Sequence, residues 1–257
     1  MLKIRNLALA TVAIAALSSA APTALAADPI KNIVMVHGAW ADGSGWRPVY
    51  EILKKEGYNV RMVQNPLTSL AADVAATDRV RDRMDGPTIL VGHSYGGAVI
   101  TEAGDHEKVV GLVYVEAFMP DVGETVFGLI PQDPDHPAPF DFTADGYAFF
   151  SEAAYVPGFA DSLPAADAEF LRDSQVPISL NDAGGIPLTV AAWRTKPTWY
   201  QTADADLVIP PALQEMMYTR AGSTVVKVSG GHLAFIAHAE ETAQLIMDAA
   251  KAVAAAD

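Results

Sequence analysis

Gly92-His93-Ser94-Tyr95-Gly96 fits the pattern G-x-S-x-G, and Gly97 follows it. Taken alone the pentapeptide is weakly specific, because glycine and serine are common loop residues. Its setting gives it meaning. It follows an apolar run at 87–92 (PTILVG) and opens a stretch of helical character. A strand that turns sharply into a helix holds a serine in a strained conformation, with its hydroxyl presented above the sheet. Gly92 and Gly96 remove side chains that would collide across so tight a turn. The helix N-terminus below Ser94 favours negative charge developing there. A serine hydroxyl is a poor nucleophile without a base. Of the six histidines, His93 lies in the turn itself with its side chain expected to face away from the reaction side. His37 closes the first apolar run, His106 and His136 sit in polar loops, and His238 falls within the last helix. His232 stands in Ser229-Gly230-Gly231-His232, after one strand and before that helix. That placement makes it the expected general base.

The elements that must position these groups follow from periodicity. Continuous apolar, β-branched runs at 32–37, 59–63, 87–92 and 109–115 read as strands covered on both faces. They alternate with helical stretches at 46–55, at 70–84 and from about Ser94. The alternation stops at about 118–196, a segment rich in Pro, Gly, Asp and aromatics with a short helical pattern at 165–172. It resumes with strands at 198–202 and 224–228 and helices at 211–220 and 233–254. The fold class is therefore α/β: one domain over 27–257, with a mostly parallel sheet flanked by helices and a cap inserted after the fourth strand. In such a sheet His232 stands at the same edge as Ser94.

A catalytic imidazole needs an acid to fix its tautomer, and the chain order Ser, Asp or Glu, His fits this architecture. Three carboxylates follow strands. Asp206 ranks first, Asp204 second and Glu116 third, and spacing alone does not separate the two aspartates. A tetrahedral intermediate needs two backbone donors. Tyr95, next after the serine, and Ala39, in the loop His37-Gly38-Ala39-Trp40, are the expected pair.

Composition narrows the partners. Lys+Arg 17 against Asp+Glu 31 gives a formal charge of -14, which argues against nucleic acid and anionic membranes. With no cysteine, disulfides, thiol nucleophiles and Cys-based zinc sites are all excluded. Lys3 and Arg5 precede an apolar run at 7–17, and Ala24-Leu25-Ala26 fits a signal-peptidase site. The expectation is a cleavable leader at 1–26 and an exported, periplasmic or secreted chain. The apolar run is shorter than the roughly 20 residues a spanning helix needs.

Together these residues resemble the α/β-hydrolase fold, and within it small bacterial esterase-like members similar to the plant methylesterase and hydroxynitrile lyase group. VHGAWADGSGW at 36–46, GHSYGG at 92–97 and the D-x-x-I-P-P stretch ending at Pro211 carry the resemblance. Relatives carry their acid as the Asp of that last motif, which favours Asp206, although Leu207 replaces the Arg that often follows. Hydroxynitrile lyases of the group have Thr after the strand-end His and Lys after the catalytic His. Here Gly38 and Leu233 occupy those places, which argues for ester hydrolysis.

The expected activity is cleavage of small, neutral, apolar carboxylic esters through an acyl-enzyme on Ser94, His232 and Asp206, with Ala39 and Tyr95 as the oxyanion hole. No metal or organic cofactor is required. The alternatives are a cofactor-free perhydrolase or lyase on the same residues, or a non-catalytic ligand-binding protein of this fold. Between Lys108 and Arg172 there are eleven acidic residues and no Lys or Arg. The same stretch holds Phe127, Phe140, Phe142, Tyr147, Phe149, Phe150, Tyr155 and Phe159. It reads either as an apolar pocket in an acidic cap or as the cap's own core under a solubilising surface.

Overall fold

The computed structural model describes residues 30–130 and 139–255. The expected leader and His136 lie outside them. Along the chain, β1 (Asn32–Val36) leads through a 3-10 turn at Gly43–Trp46 into α1 (Arg47–Lys55). Then come β2 (Asn59–Val63), α2 (Leu70–Arg81), β3 (Thr88–Ser94), α3 (Gly96–Ala103) and β4 (Val109–Ala117). The inserted segment holds α4 (Val126–Leu129), β5 (Phe140–Phe142), β6 (Tyr147–Phe150), α5 (Glu152–Ala154), α6 (Ala165–Asp173) and β7 (Ile178–Ser179). The main alternation closes with β8 (Thr198–Ala203), α7 (Pro211–Ala221), β9 (Thr224–Val228), α8 (Ala234–Ala237) and α9 (Ala239–Ala254).

Six strands form one sheet in the order β2-β1-β3-β4-β8-β9, with every pairing parallel. β1 and β3 are buried at every position, as uninterrupted apolar strands between two helical layers must be. The helices start and stop by local chemistry. Ser69 caps α2 by accepting from the Ala72 amide at 3.1 Å, and α7 ends at Gly222 in the left-handed region. α9 lays Leu245, Ile246, Ala249, Ala250 and Val253 in one buried stripe.

Three boundaries differ from the pattern in the sequence. The strand expected to end at Gly92 continues through Ser94, so the helix starts at Gly96 rather than near Ser94. The single helix expected over 233–254 is interrupted at His238, whose non-helical backbone separates α8 from α9. The insertion is more than short helices: β5, β6 and β7 make a separate three-stranded antiparallel sheet. Strands of two to four residues carry too little periodicity to be read from sequence.

Candidate active site

The serine turn is built by close approach. β3 ends on Ser94 and α3 begins on Gly96, leaving Tyr95 alone to reverse direction. Ser94 consequently has φ +54°, a left-handed conformation that a side chain adopts only under strain. A Cβ on Gly92 would stand 2.5 Å from the Gly96 carbonyl oxygen, and one on Gly38 would stand 2.6 Å from Ser94 Cβ. Both positions accept only glycine, and Gly38 brings the β1 loop directly against the serine.

His232 Nε2 lies 2.8 Å from Ser94 Oγ, and His232 Nδ1 lies 2.9 Å from Asp206 Oδ2. With the Nδ1 proton donated to Asp206, Nε2 is the lone-pair nitrogen facing the serine hydroxyl. Asp206 is held on all sides. Its Oδ1 accepts from the Val208 and Ile209 amides at 2.8 and 2.9 Å, and its Oδ2 also accepts from Gln214 Nε2 at 2.9 Å. Ser94, His232 and Asp206 are 2%, 0% and 2% exposed, so the line of hydrogen bonds is buried.

The other candidate acids do different work. Asp204 Oδ1 accepts from the Gly230 amide at 3.0 Å, so it ties down the loop carrying His232 rather than the ring. Glu116 is fully buried with φ +40° and accepts from Gln201 Nε2 at 3.1 Å, while its Oε2 has no hydrogen-bond partner among the described residues. Burial raises its carboxyl well above the usual range, and the Asp206 charge adds to that. The Gln201 hydrogen bond opposes the shift. Burial thus favours the protonated form of Glu116. Glu116→Gln is expected to keep kcat/KM within about threefold, since the amide retains an oxygen to accept from Gln201 and Glu116 does not contact the His232 ring. The folded chain binds this proton more tightly than the unfolded one, so wild-type stability rises relative to Glu116→Gln as pH falls towards the unfolded carboxyl's range. Parallel melting curves from pH 8 to pH 5 check that slope. A wild type that loses ground on acidification would mean that the folded chain does not raise the Glu116 carboxyl.

Two histidines act as struts. His93, expected to face away, packs its ring 4.7 Å from the His232 ring and 4.6 Å from Phe235. Its Nε2 donates to the His232 carbonyl at 2.9 Å. Burial, joined by the neighbouring His232 charge, holds its imidazole well below the ordinary value, so it stays neutral. His37 accepts from the Asn65 amide through Nε2 at 2.8 Å, and Asn65 Nδ2 donates to the His37 carbonyl at 2.9 Å. Burial lowers its pKa too, against weaker raising contributions from Gly38 and Asp42. The loop leaving β1 is thereby fixed. Among the described hydrogen bonds, the Ala39 and Tyr95 amides find no acceptor within the protein. Both residues are buried beside Ser94.

The inserted segment covers this edge of the sheet. Trp40 (φ +57°) donates its ring nitrogen to the Ala148 carbonyl at 2.9 Å and accepts from Tyr155 Oη at 2.9 Å. Its ring meets Phe140 at 4.8 Å and Phe150 at 5.3 Å, and Phe159 lies 5.0 Å from the His232 ring. Phe150, Tyr155 and Phe159 are buried, so these aromatics form the core of the cap, and Phe159 presents that core to the site. Phe142 instead stands exposed. Ser162, also in the cap, accepts from the Gly231 amide at 2.7 Å, next to His232. Neither Gln214 nor Ser162 could be singled out from sequence, since each acts through a contact set by folding. Among the described residues no group of histidines and carboxylates is arranged to hold a metal ion.

A parallel sheet in this order, with a serine in a strained strand-to-helix turn and a histidine loop after the last strand, defines an α/β-hydrolase. The chain belongs to the alpha/beta hydrolase family, whose pattern matches residues 33–245. It is 27% identical over 265 residues to a pyrethroid hydrolase of Sphingobium wenxiniae, covering 88% of this chain and 89% of that one. It is 35% identical over 115 residues to a carbendazim hydrolyzing esterase of Nocardioides, a match spanning 39% of this chain and 48% of that protein. A methylesterase from Arabidopsis superimposes with a TM-score of 0.68 at 18% identity, covering 86% of this chain and 98% of that one. That last likeness concerns the fold.

Proposed function

We propose that the chain is a carboxylic-ester hydrolase acting through an acyl-enzyme on Ser94. The observation that carries this reading is the hydrogen-bonded line from Ser94 through His232 to Asp206, with the Ala39 and Tyr95 amides, unengaged among the described residues, beside it. His232 takes the Ser94 proton as Oγ attacks the ester carbonyl. The two amides receive the developing oxyanion. His232 returns the proton to the leaving alcohol, and a water molecule repeats the sequence to release the acid. The names of the two relatives, a hydrolase and an esterase, agree with this chemistry.

Small, neutral, apolar esters suit the surroundings. The Phe159 ring lies 5.0 Å from the His232 ring and 6.1 Å from the Trp40 ring, and the cap's acidic balance disfavours anions. Gly38 and Leu233 leave no cation or hydroxyl at the positions a cyanohydrin lyase uses, so hydrolysis is favoured over lyase chemistry. Leader cleavage after Ala26 would deliver the enzyme outside the cytoplasm, and the N-terminal residue of exported protein checks this.

A single experiment tests the activity. The protein is treated with an aryl phosphonate ester, the adduct is located by fragmentation, and hydrolysis of a short aryl acetate is followed in parallel. One adduct on the 92–97 peptide, with release of both alcohol and acid, is the expected outcome. Folded protein that takes no label and releases no alcohol would make it a binder of this fold rather than an enzyme.

A further inference from the structure

We propose that Asp73, on α2, is a positioning residue that sets the Tyr95 oxyanion donor through the Tyr95 side chain. The inference rests on the ester-hydrolase reading above, in which the Tyr95 amide receives the oxyanion. Tyr95 is the single residue between β3 and α3, so the orientation of its amide depends on how the residue as a whole is held. Its phenol donates to Asp73 Oδ2 at 2.7 Å. Both partners are buried, and the bond joins two helical elements that share no turn.

Asp73 is an expensive residue to keep at this place. It has no accessible surface, and among the described residues no Lys, Arg or His pairs with it. An unpaired buried carboxylate is disfavoured unless donors surround it. Burial pushes its carboxyl up to about 6, opposed by its two donors, Tyr95 Oη and the Leu67 amide. Tyr95 is itself held protonated, by burial first and then by the charge of Asp73, so the phenol remains the donor. Packing alone would be served as well by an apolar pair.

The other carboxylate oxygen reaches the cap. Asp73 Oδ1 accepts from the Leu67 amide at 2.8 Å, and Leu67 is strained at φ +57°. The Leu67 carbonyl in turn accepts from the Ser179 amide, in β7 of the cap, at 2.9 Å. One carboxylate therefore braces both the residue beside the nucleophile and the segment on which a cap strand is hung. The Thr77 hydroxyl, bonded to the Asp73 carbonyl at 3.0 Å, holds this turn of α2.

The test compares wild type, Tyr95→Phe, Asp73→Asn and the double variant in steady-state hydrolysis of a short aryl acetate. Ser94 labelling by the phosphonate is scored on each, and near-ultraviolet circular dichroism reports folding. A misplaced oxyanion donor weakens transition-state binding selectively, so kcat is expected to fall on the order of tenfold with KM within about twofold. Both single variants break one shared bond, so the double variant is expected to be no worse than the poorer single within about twofold. Multiplicative losses, a change carried by KM, or a Tyr95→Phe kcat within twofold of wild type would overturn the proposal. Should Asp73→Asn fail to fold, Tyr95→Phe decides alone, because it removes one atom and retains the ring. Wild type that hydrolyses ester with Ser94 labelled but is indifferent to Tyr95→Phe sinks this inference only. Wild type with neither hydrolysis nor label sinks the ester-hydrolase reading and this inference together.

Discussion

Ser94→Ala is expected to reduce kcat/KM for a short aryl ester by about 10⁴ to 10⁶-fold while leaving the protein folded. The loss is large because the variant deletes the atom that forms the acyl bond, and no neighbouring group can take over. There is no cysteine in the chain, and the hydroxyl lies 2.8 Å from His232 Nε2. Stability should change little. Ala and Ser carry the same Cβ into the left-handed backbone at φ +54°, so the strain of about 1 to 2 kcal/mol is present in both. Activity above a few per cent of wild type, in protein free of contaminating esterase, would place the nucleophile elsewhere. A thermal melt that collapses in Ser94→Ala would instead mean that the hydroxyl supports the fold.

The second large effect concerns the acid. Asp206→Asn is expected to lower kcat by about 10³ to 10⁴-fold, through the tautomer of His232. The direction follows from the surrounding donors. Asp206 Oδ1 receives two backbone amides, from Val208 and Ile209, so an asparagine must leave its carbonyl oxygen on that side. Its amide NH₂ then faces His232 Nδ1 and Gln214 Nε2 in place of Asp206 Oδ2. A donor opposite Nδ1 forces the imidazole proton onto Nε2, and the nitrogen that should accept from Ser94 no longer can. Asp204→Asn keeps an oxygen for the Gly230 amide and is expected to stay within about threefold of wild type, because it changes a loop tie and no charge at the ring. Kinetics of the two variants side by side separate these roles. Equal losses, or a large loss in Glu116→Gln with a small one in Asp206→Asn, would move the acid away from Asp206.

Much of this arrangement was legible from local signals. The elbow could be read because its requirements lie within the ten residues from Thr88 to Gly97: an apolar strand, two glycines where backbones collide, and a helix start. The His232 loop was legible for a similar reason, as Gly-Gly-His between a strand and a helix can only lie at the sheet edge. Spacing did not separate Asp204 from Asp206, and the preference for Asp206 came from the D-x-x-I-P-P resemblance. Both follow β8 within four residues, and the decision rests on which carboxylate the Val208 and Ile209 amides capture. His93 illustrates the limit differently. A residue next to the nucleophile points to the opposite side of the strand by alternation, yet its ring reaches the His232 carbonyl across 139 residues of sequence.

By itself the sequence determined the parallel α/β layering, the strained serine turn, the candidate base and the place where the cap is inserted. All of these are set by short-range periodicity, backbone sterics and chain order. Only the tertiary structure decided which acid meets His232 and that Glu116 is fully buried. It alone turned the cap's aromatics into a core pressed against the site and joined Asp73 to Tyr95. Each of these depends on side chains from separate elements meeting in a medium that excludes water. There a hydrogen bond or an unpaired oxygen carries far more weight than it does along an exposed chain, and sequence spacing does not encode which partner arrives.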